Sequence, residues 1–465
     1  MEMSQKIATS VPALVDALLG AFRRRRAGQA VLFLTLIGLF FSHRLNADVV
    51  VDVRKPSLVC QATMVCAIQR KPSLVCQART VCAIHAGERP TNLTVAVLGG
   101  VGPGQGEKDH SSKGFAWRSA GNRRKMLEET GGTVESEAAV AAGLKWLAQH
   151  QAPDGHWSLD SFPQQGKCRC TGAGSLNNDI AGTALGLLPF LGAGKTHRRS
   201  AENPYQKIVD KGLKFLTSRQ NANGYFGGGS YYAQGLATMA VCEAYGLTSD
   251  PALKRSAQQA ISNIVSAQNA NGGWDYLPGT LRTDTSVGGW QLMALKSGET
   301  AGLDVPKKAT NAASRWLDRV MTNDGAGYGY DGPGDTNTMT GVGLLCREHL
   351  GWAPRNPSLI KGVEKLRTIG PEENQNNIYY CYYATQVLYH FGGQAWEKWN
   401  PKMRDILIAK QDKGANIAHQ KGSWSPKDDA HGGAGGRLMV TSLSLLTLEV
   451  YYRYPPLHRR DQPVP

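Results

Sequence analysis

A turn of the form Gln-x-x-x-Gly-x-aromatic recurs along this chain, each time between an amphipathic segment and an apolar one. Gln151…Gly155-His-Trp157, Gln220…Gly224-Tyr-Phe226 and Gln268…Gly272-Gly-Trp274 keep that spacing, and Gln411…Gly422-Ser-Trp424 keeps the residues across a longer loop. The stretch 251–298 shows the unit whole. Ala257, Ala260, Ile261, Ile264, Val265 and Gln268 recur at three- and four-residue intervals, which puts them on one face of a helix. Asn269-Ala-Asn-Gly-Gly273 then ends it, because Asn and Gly tolerate the left-handed backbone of a sharp reversal. Asp284-Thr-Ser286 supplies capping residues ahead of the stretch 287–295, which is apolar nearly all round. One half-buried helix, a turn and one fully buried helix make an αα-hairpin.

The same hairpin is expected six times. The pairs are 138–151 with 179–192, 208–220 with 232–246, 251–268 with 287–298, 306–320 with 335–350, 358–369 with 378–391, and 396–411 with 438–452. The fifth pair has lost the turn signature. Such a spacing marks a helical repeat array. Neither end reads as the polar cap that an open solenoid requires, so the array is expected to close on itself. The fold class is therefore all-α, an α6/α6 toroid over 136–454 with a short tail at 455–465. The apolar helices form its inner ring.

Ahead of the repeats the chain is different in kind. Of the net charge of +15, about +9 falls in the first 130 residues, with no basic stripe in the repeats, so nucleic-acid binding is not expected. Four arginines at Arg23–Arg26 precede an apolar run at 30–41, a pattern closer to a secretion signal than to a spanning helix of roughly 18–20 apolar residues. The reading is a signal peptide or membrane anchor over 1–47, with association to a membrane through that segment and a membrane-anchored or exported location such as a bacterial periplasm. Residues 48–130 read as a linker of low order. Within it a 16-residue segment from Arg54 repeats from Arg70 with 13 positions identical, carrying Cys60, Cys66, Cys76 and Cys82. All six hairpins lie beyond Met126, so a chain begun there is expected to fold, and such a start would place the protein in the cytoplasm.

The Gln and aromatic residues of these turns resemble the QW motifs of squalene and hopene cyclases, and the hairpins resemble the repeats of protein prenyltransferase β-subunits. The resemblance covers some seven-tenths of the chain and implies the α/α toroid with a central cavity. It does not bring the catalytic motifs with it. The Asp-x-Asp-Asp acid of class II cyclases is missing, Pro426-Lys-Asp-Asp429 being the nearest string, and Asp-Asp-x-x-Asp is missing too. Asp284-Thr-Ser-Val-Gly-Gly-Trp-Gln291 looks like the prenyltransferase strip that bears two zinc ligands, with Ser286 in the place of the cysteine. Tyr379-Tyr-Cys-Tyr-Tyr383 looks like the strip bearing the histidine, with Tyr380 there instead. Hydroxyl groups are poor substitutes for thiolate and imidazole, so no metal and no cofactor is expected in this chain, and zinc is not expected to be stoichiometric.

Asp179, Asp284 and Asp335 each stand at the start of an inner helix, and in a ring of parallel helices these starts share one mouth. They are the candidate catalytic acids, with Asp284 first among them. Trp290, Tyr232, Tyr380 and Tyr382 are the candidate ligand-binding aromatics. The competing reading makes each Asp an N-cap worth roughly 1 kcal/mol to its helix. Cys168-Arg-Cys170 is a weak metal signal for which His156 or His197 would complete a ligand set. The expected activity is binding or transformation of an apolar, isoprenoid-like molecule inside the ring. A carbohydrate-active toroid enzyme and a non-catalytic protein-interaction module are the alternatives.

Overall fold

The computed structural model describes residues 58–69, 73–84, 113–164, 168–372 and 375–457. The expected signal segment lies outside them. The chain divides into a unit ending at Glu107 and one beginning at Lys108. In the first, the two copies of the duplication form strands β1 (Leu58–Gln69) and β2 (Ser73–Ile84), paired antiparallel with Cys60 opposite Cys82 and Cys66 opposite Cys76. Near-identical segments rich in Val, Ile, Thr and Cys satisfy the strand preference twice. Among the described residues no helix is long and apolar enough to cross a membrane.

The second unit is helical throughout its named elements. In chain order these are α1 (Ala120–Thr130), α2 (Val134–Gln149), α3 (Asp179–Gly192), α4 (Gln206–Arg219), α5 (Tyr231–Thr248), α6 (Pro251–Ser266), α7 (Thr285–Thr300), α8 (Lys307–Val320), α9 (Asn337–His349), α10 (Pro357–Ile369), α11 (Ile378–Phe391), α12 (Gly393–Lys410), α13 (Gly432–Leu448) and α14 (Val450–Arg453). Helix α3 packs on α5, α5 on α7, α7 on α9, α9 on α11 and α11 on α13, and α13 returns to α3. That closes an inner ring of six. The even-numbered helices from α2 to α12 form the outer layer, and α12 touches α2 across the seam. The protein is an α6/α6 toroid, as its periodicity indicates.

The turn residues show why the hairpins close. The Trp157 indole donates to the Leu147 carbonyl, Trp274 to Ile264 and Trp424 to Leu407, each at 2.8 Å, so the aromatic serves the last turn of its own outer helix. The glutamine does something else. Gln268 Nε2 donates to the Gly272 carbonyl at 2.7 Å and to the Ala309 carbonyl, on the next outer helix, at 3.0 Å. Gln151 reaches Ile208 and Gln220 reaches Ser256 in the same way. Gln411 reaches Ala139, 272 residues earlier, at 2.8 Å. Each glutamine clips its hairpin to the next one, and the last clip closes the ring. Gly272, at φ +87°, is required twice over, since a Cβ there would lie 2.2 Å from the Ala312 carbonyl oxygen.

Small residues on the inner helices make room for the turn aromatics. A Cβ at Gly186 would meet the Trp157 ring at 2.5 Å, and one at Gly343 the Tyr328 ring at 2.3 Å. An inner-helix side chain then fixes the turn, with Thr183 Oγ1 accepting from Trp157 N and Thr441 Oγ1 from Trp424 N.

The packed unit begins earlier than the hairpins do, so a chain begun at Met126 would lack part of it. Phe115 and Arg118 are buried, and a Cβ at Gly246 would meet the Phe115 ring at 2.4 Å. Arg118 donates to Glu243 at 2.6 Å and to the Arg453 carbonyl at 3.0 Å, while Arg453 donates to Glu243 at 3.0 Å. Burial alone would push the Glu243 carboxyl up, but the two guanidiniums hold it below the usual carboxylate range. The segment before α1 and the helix α14 thus meet beneath the C-terminal ends of α3 and α5. No periodicity announces this, because a single Phe and a single Arg carry it.

Candidate functional site at the loop collar

The starts of the six inner helices lie together at the other end. The loops before them are hydrogen-bonded in a circuit. Asn178 Nδ2 donates to the Gly228 carbonyl at 2.8 Å, Tyr231 N to Tyr276 at 2.9 Å, and Thr285 N to Tyr330 at 2.7 Å. Asn377 Nδ2 donates to Thr338 at 3.1 Å, Ala430 N to the Asn376 carbonyl at 2.7 Å, and Ser175 N to Gly433 at 3.0 Å. The result is a continuous collar of loops, as parallel inner helices require.

On this collar the three acids part company. Asp284 is buried and is the N-cap of α7, its Oδ1 accepting from Ser286 N at 2.9 Å, from Val287 N at 3.2 Å and from the Ser286 hydroxyl. Its Oδ2 faces Arg282 at 3.7 Å. Asp179 and Asp335 cap nothing. Asn178 and Thr336 hold those cap positions, accepting from Ala181 N and Met339 N. Asp179 stands 3.9 Å from His156, and Asp335 pairs with Lys365 on α10. Among the described residues the three carboxylates form no common group within 4.8 Å. Sharing one mouth did not bring them together, because each is held by partners within its own sector.

The aromatics divide as well. Tyr382 stacks on Trp290 at 5.6 Å, with Tyr383 at 5.7 Å and Tyr379 at 6.2 Å from the same indole. Tyr379 and Tyr383 lie 5.0 Å apart. Burial pushes the Tyr379 and Tyr383 phenols well above their ordinary range. Tyr380 faces the other way, edge-on to Trp399 of α12 at 6.2 Å, because one step along a helix turns a side chain by about 100°. It belongs to the inner–outer interface. Tyr232 is half-buried at the collar, bonded to the Ser286 hydroxyl and 5.5 Å from Tyr276. Tyr379 reaches the Ser286 carbonyl at 3.3 Å. Asp284, Ser286, Tyr232 and Tyr379 therefore form one hydrogen-bonded chain, leading from the collar to the Trp290 cluster.

Neither spacing nor motif singles out Tyr276, Leu277, Leu281 or Tyr330. Among the described residues, five of the eight exposed large hydrophobics lie on the collar: these four and Leu176. A surface cost repeated on one rim is the signal that was available, since turn loops are ordinarily polar.

The histidines weighed as partners for Cys168 and Cys170 are engaged elsewhere. His156 bonds Asp154 at 2.6 Å and His197 bonds Asp250 at 2.7 Å. The two thiols instead meet His150 and His419.

The ring and its collar define the class of this protein, an α/α toroid of six hairpins. No family model matches the chain. A curated relative is drimenyl diphosphate synthase of Streptantibioticus cattleyicolor, 28% identical over 215 residues, which are 42% of this chain and 36% of that protein. The match thus spans about a third of the relative's length. Among solved structures, the type II terpene cyclase MstE from Scytonema superposes with a TM-score of 0.47 at 13% identity, over 68% of this chain and 98% of that one. The GH76A α-1,6-mannanase from a Salegentibacter species gives 0.49 at 10% identity, over 68% and 98%.

Proposed function

We propose that this toroid binds an apolar, isoprenoid-like molecule at its loop collar and does not protonate it. The observation that carries the reading is the set of exposed apolar side chains on the collar, Tyr276, Leu277, Leu281 and Tyr330, of which Tyr276 lies 5.5 Å from the Tyr232 ring. Exposed apolar surface concentrated on one rim favours an apolar ligand, since covering it removes that surface from water. Inside the rim lie the buried Trp290, Tyr379, Tyr382 and Tyr383 rings. The curated relative, by its name a synthase of drimenyl diphosphate, is consistent with a ligand of this class. Asp284 then acts as a positioning residue. Its Oδ1 is committed to two backbone amides and the Ser286 hydroxyl, and Ser286 in turn holds Tyr232.

The experiment is titration of the full chain with farnesol and geranylgeraniol, followed by intrinsic tryptophan fluorescence. Saturable binding is expected, weakened at least about tenfold by Tyr232→Ala, since a large apolar contact is worth roughly 1.5–3 kcal/mol. Asp284→Asn should leave both affinity and thermal midpoint nearly unchanged, because Asn caps as well as Asp. Binding that ignores Tyr232→Ala, or no saturation with either alcohol, would refute the reading.

A further inference from the structure

Four side chains from distant parts of the sequence converge at the seam of the ring. His150 is the C-cap of α2, Cys168 and Cys170 lie in the loop between α2 and α3, and His419 sits in a single 3₁₀ turn at Ala418–Gln420, between α12 and α13. The His150 Nε2 is 3.2 Å from the Cys168 sulfur and 3.3 Å from the Cys170 sulfur, and His419 Nδ1 is 3.5 Å from Cys170. All four ligand atoms lie within 4.8 Å of one another. Among the described residues no other set of three or more His, Cys, Asp or Glu converges in this way.

We propose that His150, Cys168, Cys170 and His419 form a structural zinc site that fastens the first hairpin of the toroid to the last.

The geometry fits a zinc ion. With Zn–N of about 2.05 Å and Zn–S of about 2.3 Å, a tetrahedron has N···S edges of about 3.5 Å. The three observed separations fall within a few tenths of an ångström of that edge. Two thiolates and two imidazoles fill a tetrahedron, leaving no open position, which is the pattern of a structural site. The surroundings set the ligands up. His150 Nδ1 is 2.6 Å from the Trp146 carbonyl, which places the proton there and turns the Nε2 lone pair towards the sulfurs. The Cys170 backbone amide donates to the Cys168 sulfur at 3.3 Å. Buried Arg437 donates to the Thr171 carbonyl at 2.9 Å and places a cation beside the cysteine loop. Gln420 ties the two loops directly, donating to Thr171 Oγ1 at 2.8 Å.

The site lies apart from the collar aromatics and makes no use of the proposed ligand. It acts on closure. Cys170 and His419 are 249 residues apart, and a metal joining them holds the seam that Gln411 clips through Ala139. Metal binding releases the two thiol protons to solvent, with no redox change.

The test is elemental analysis of the full chain after growth with zinc and purification without chelator, followed by thermal melting with and without EDTA. One zinc per chain is expected, lost in Cys168→Ser/Cys170→Ser and in His419→Ala but kept in His156→Ala. Chelation should lower the melting temperature of the parent protein and leave the double variant unmoved. Cobalt reconstitution of the parent gives a reading independent of variant folding, in the intense visible bands of tetrahedral thiolate cobalt. Sub-stoichiometric zinc in the parent, zinc surviving the double variant, or a Cys168–Cys170 disulfide by mass would overturn the proposal.

Discussion

Glu348 shows what a single residue costs at the bottom of a ring. It lies near the end of inner helix α9, fully buried, and neither carboxylate oxygen has a hydrogen-bond partner among the described residues. Burial pushes its carboxyl well above the usual range. A folded pKa above the unfolded one means that the native chain holds a proton which the unfolded chain has lost. Stability therefore falls as pH rises from the unfolded value, about 4.3, towards the folded one, by about 1.4 kcal/mol per pH unit. Glu348→Gln removes this slope. The variant should match the parent near pH 4 and exceed it increasingly towards neutral pH, as read from denaturant midpoints across that range. A parallel pH dependence in both proteins would count against an unpaired Glu348. Asp284 is the contrast, a carboxylate just as buried but satisfied by its own helix.

At the scale of the element the unit is the hairpin, and its turn divides the work between two side chains. The aromatic completes the hairpin it belongs to, and the glutamine joins that hairpin to the following one. Gln268→Ala should therefore cost about 1–3 kcal/mol, because it leaves the Gly272 and Ala309 carbonyls without that donor. Differential scanning calorimetry would show a lowered midpoint, and hydrogen exchange should rise along α8 as well as α6. Exchange confined to α6 would mean that the glutamine serves only its own helix. Three of the turns could be read from spacing alone, and that of Gln411 and Trp424 from its residues across a longer loop. The fourth hairpin keeps a Gly and an aromatic, Gly325 and Tyr328, but has Met321 in the glutamine's place, paired with Tyr328 as Gln411 is with Trp424. There the next residue holds the reversal, the Thr322 hydroxyl accepting from Gly327 N at 3.0 Å.

For the whole molecule the question is what closes and seals the ring. One end is sealed by the segment around Phe115 and Arg118 together with α14. Removing residues 1–125 deletes Arg118 and leaves Glu243 with Arg453 alone in a buried setting. Breaking a buried ion pair on one side costs about 3–5 kcal/mol, and the loss of the Phe115 ring adds to it. The shortened chain should thus melt well below a chain that keeps residues 108–465, as followed by far-UV circular dichroism. Equal melting would show the segment to be an appendage after all.

The sequence by itself determined the repeats, their hairpin form, the all-helical class and the closure into a ring. Those follow from periodicity and turn chemistry, which act within some fifty residues. It also pointed to Asp284, Trp290, Tyr232 and Tyr382 as neighbours of the mouth, because position within a repeat predicts position around a ring. Only the tertiary structure decided the rest. Tyr380 and Tyr382 differ by two steps on one helix, and packing against α12 sent one outward and the other to Trp290. Asp179 and Asp335 occupy starts like that of Asp284, yet His156 and Lys365 draw them into separate sectors. The partners of Cys168 and Cys170 were hidden most deeply. His150 looked like the end of a helix and His419 like part of a loop, and only closing the ring brings residues 249 apart in sequence to one point.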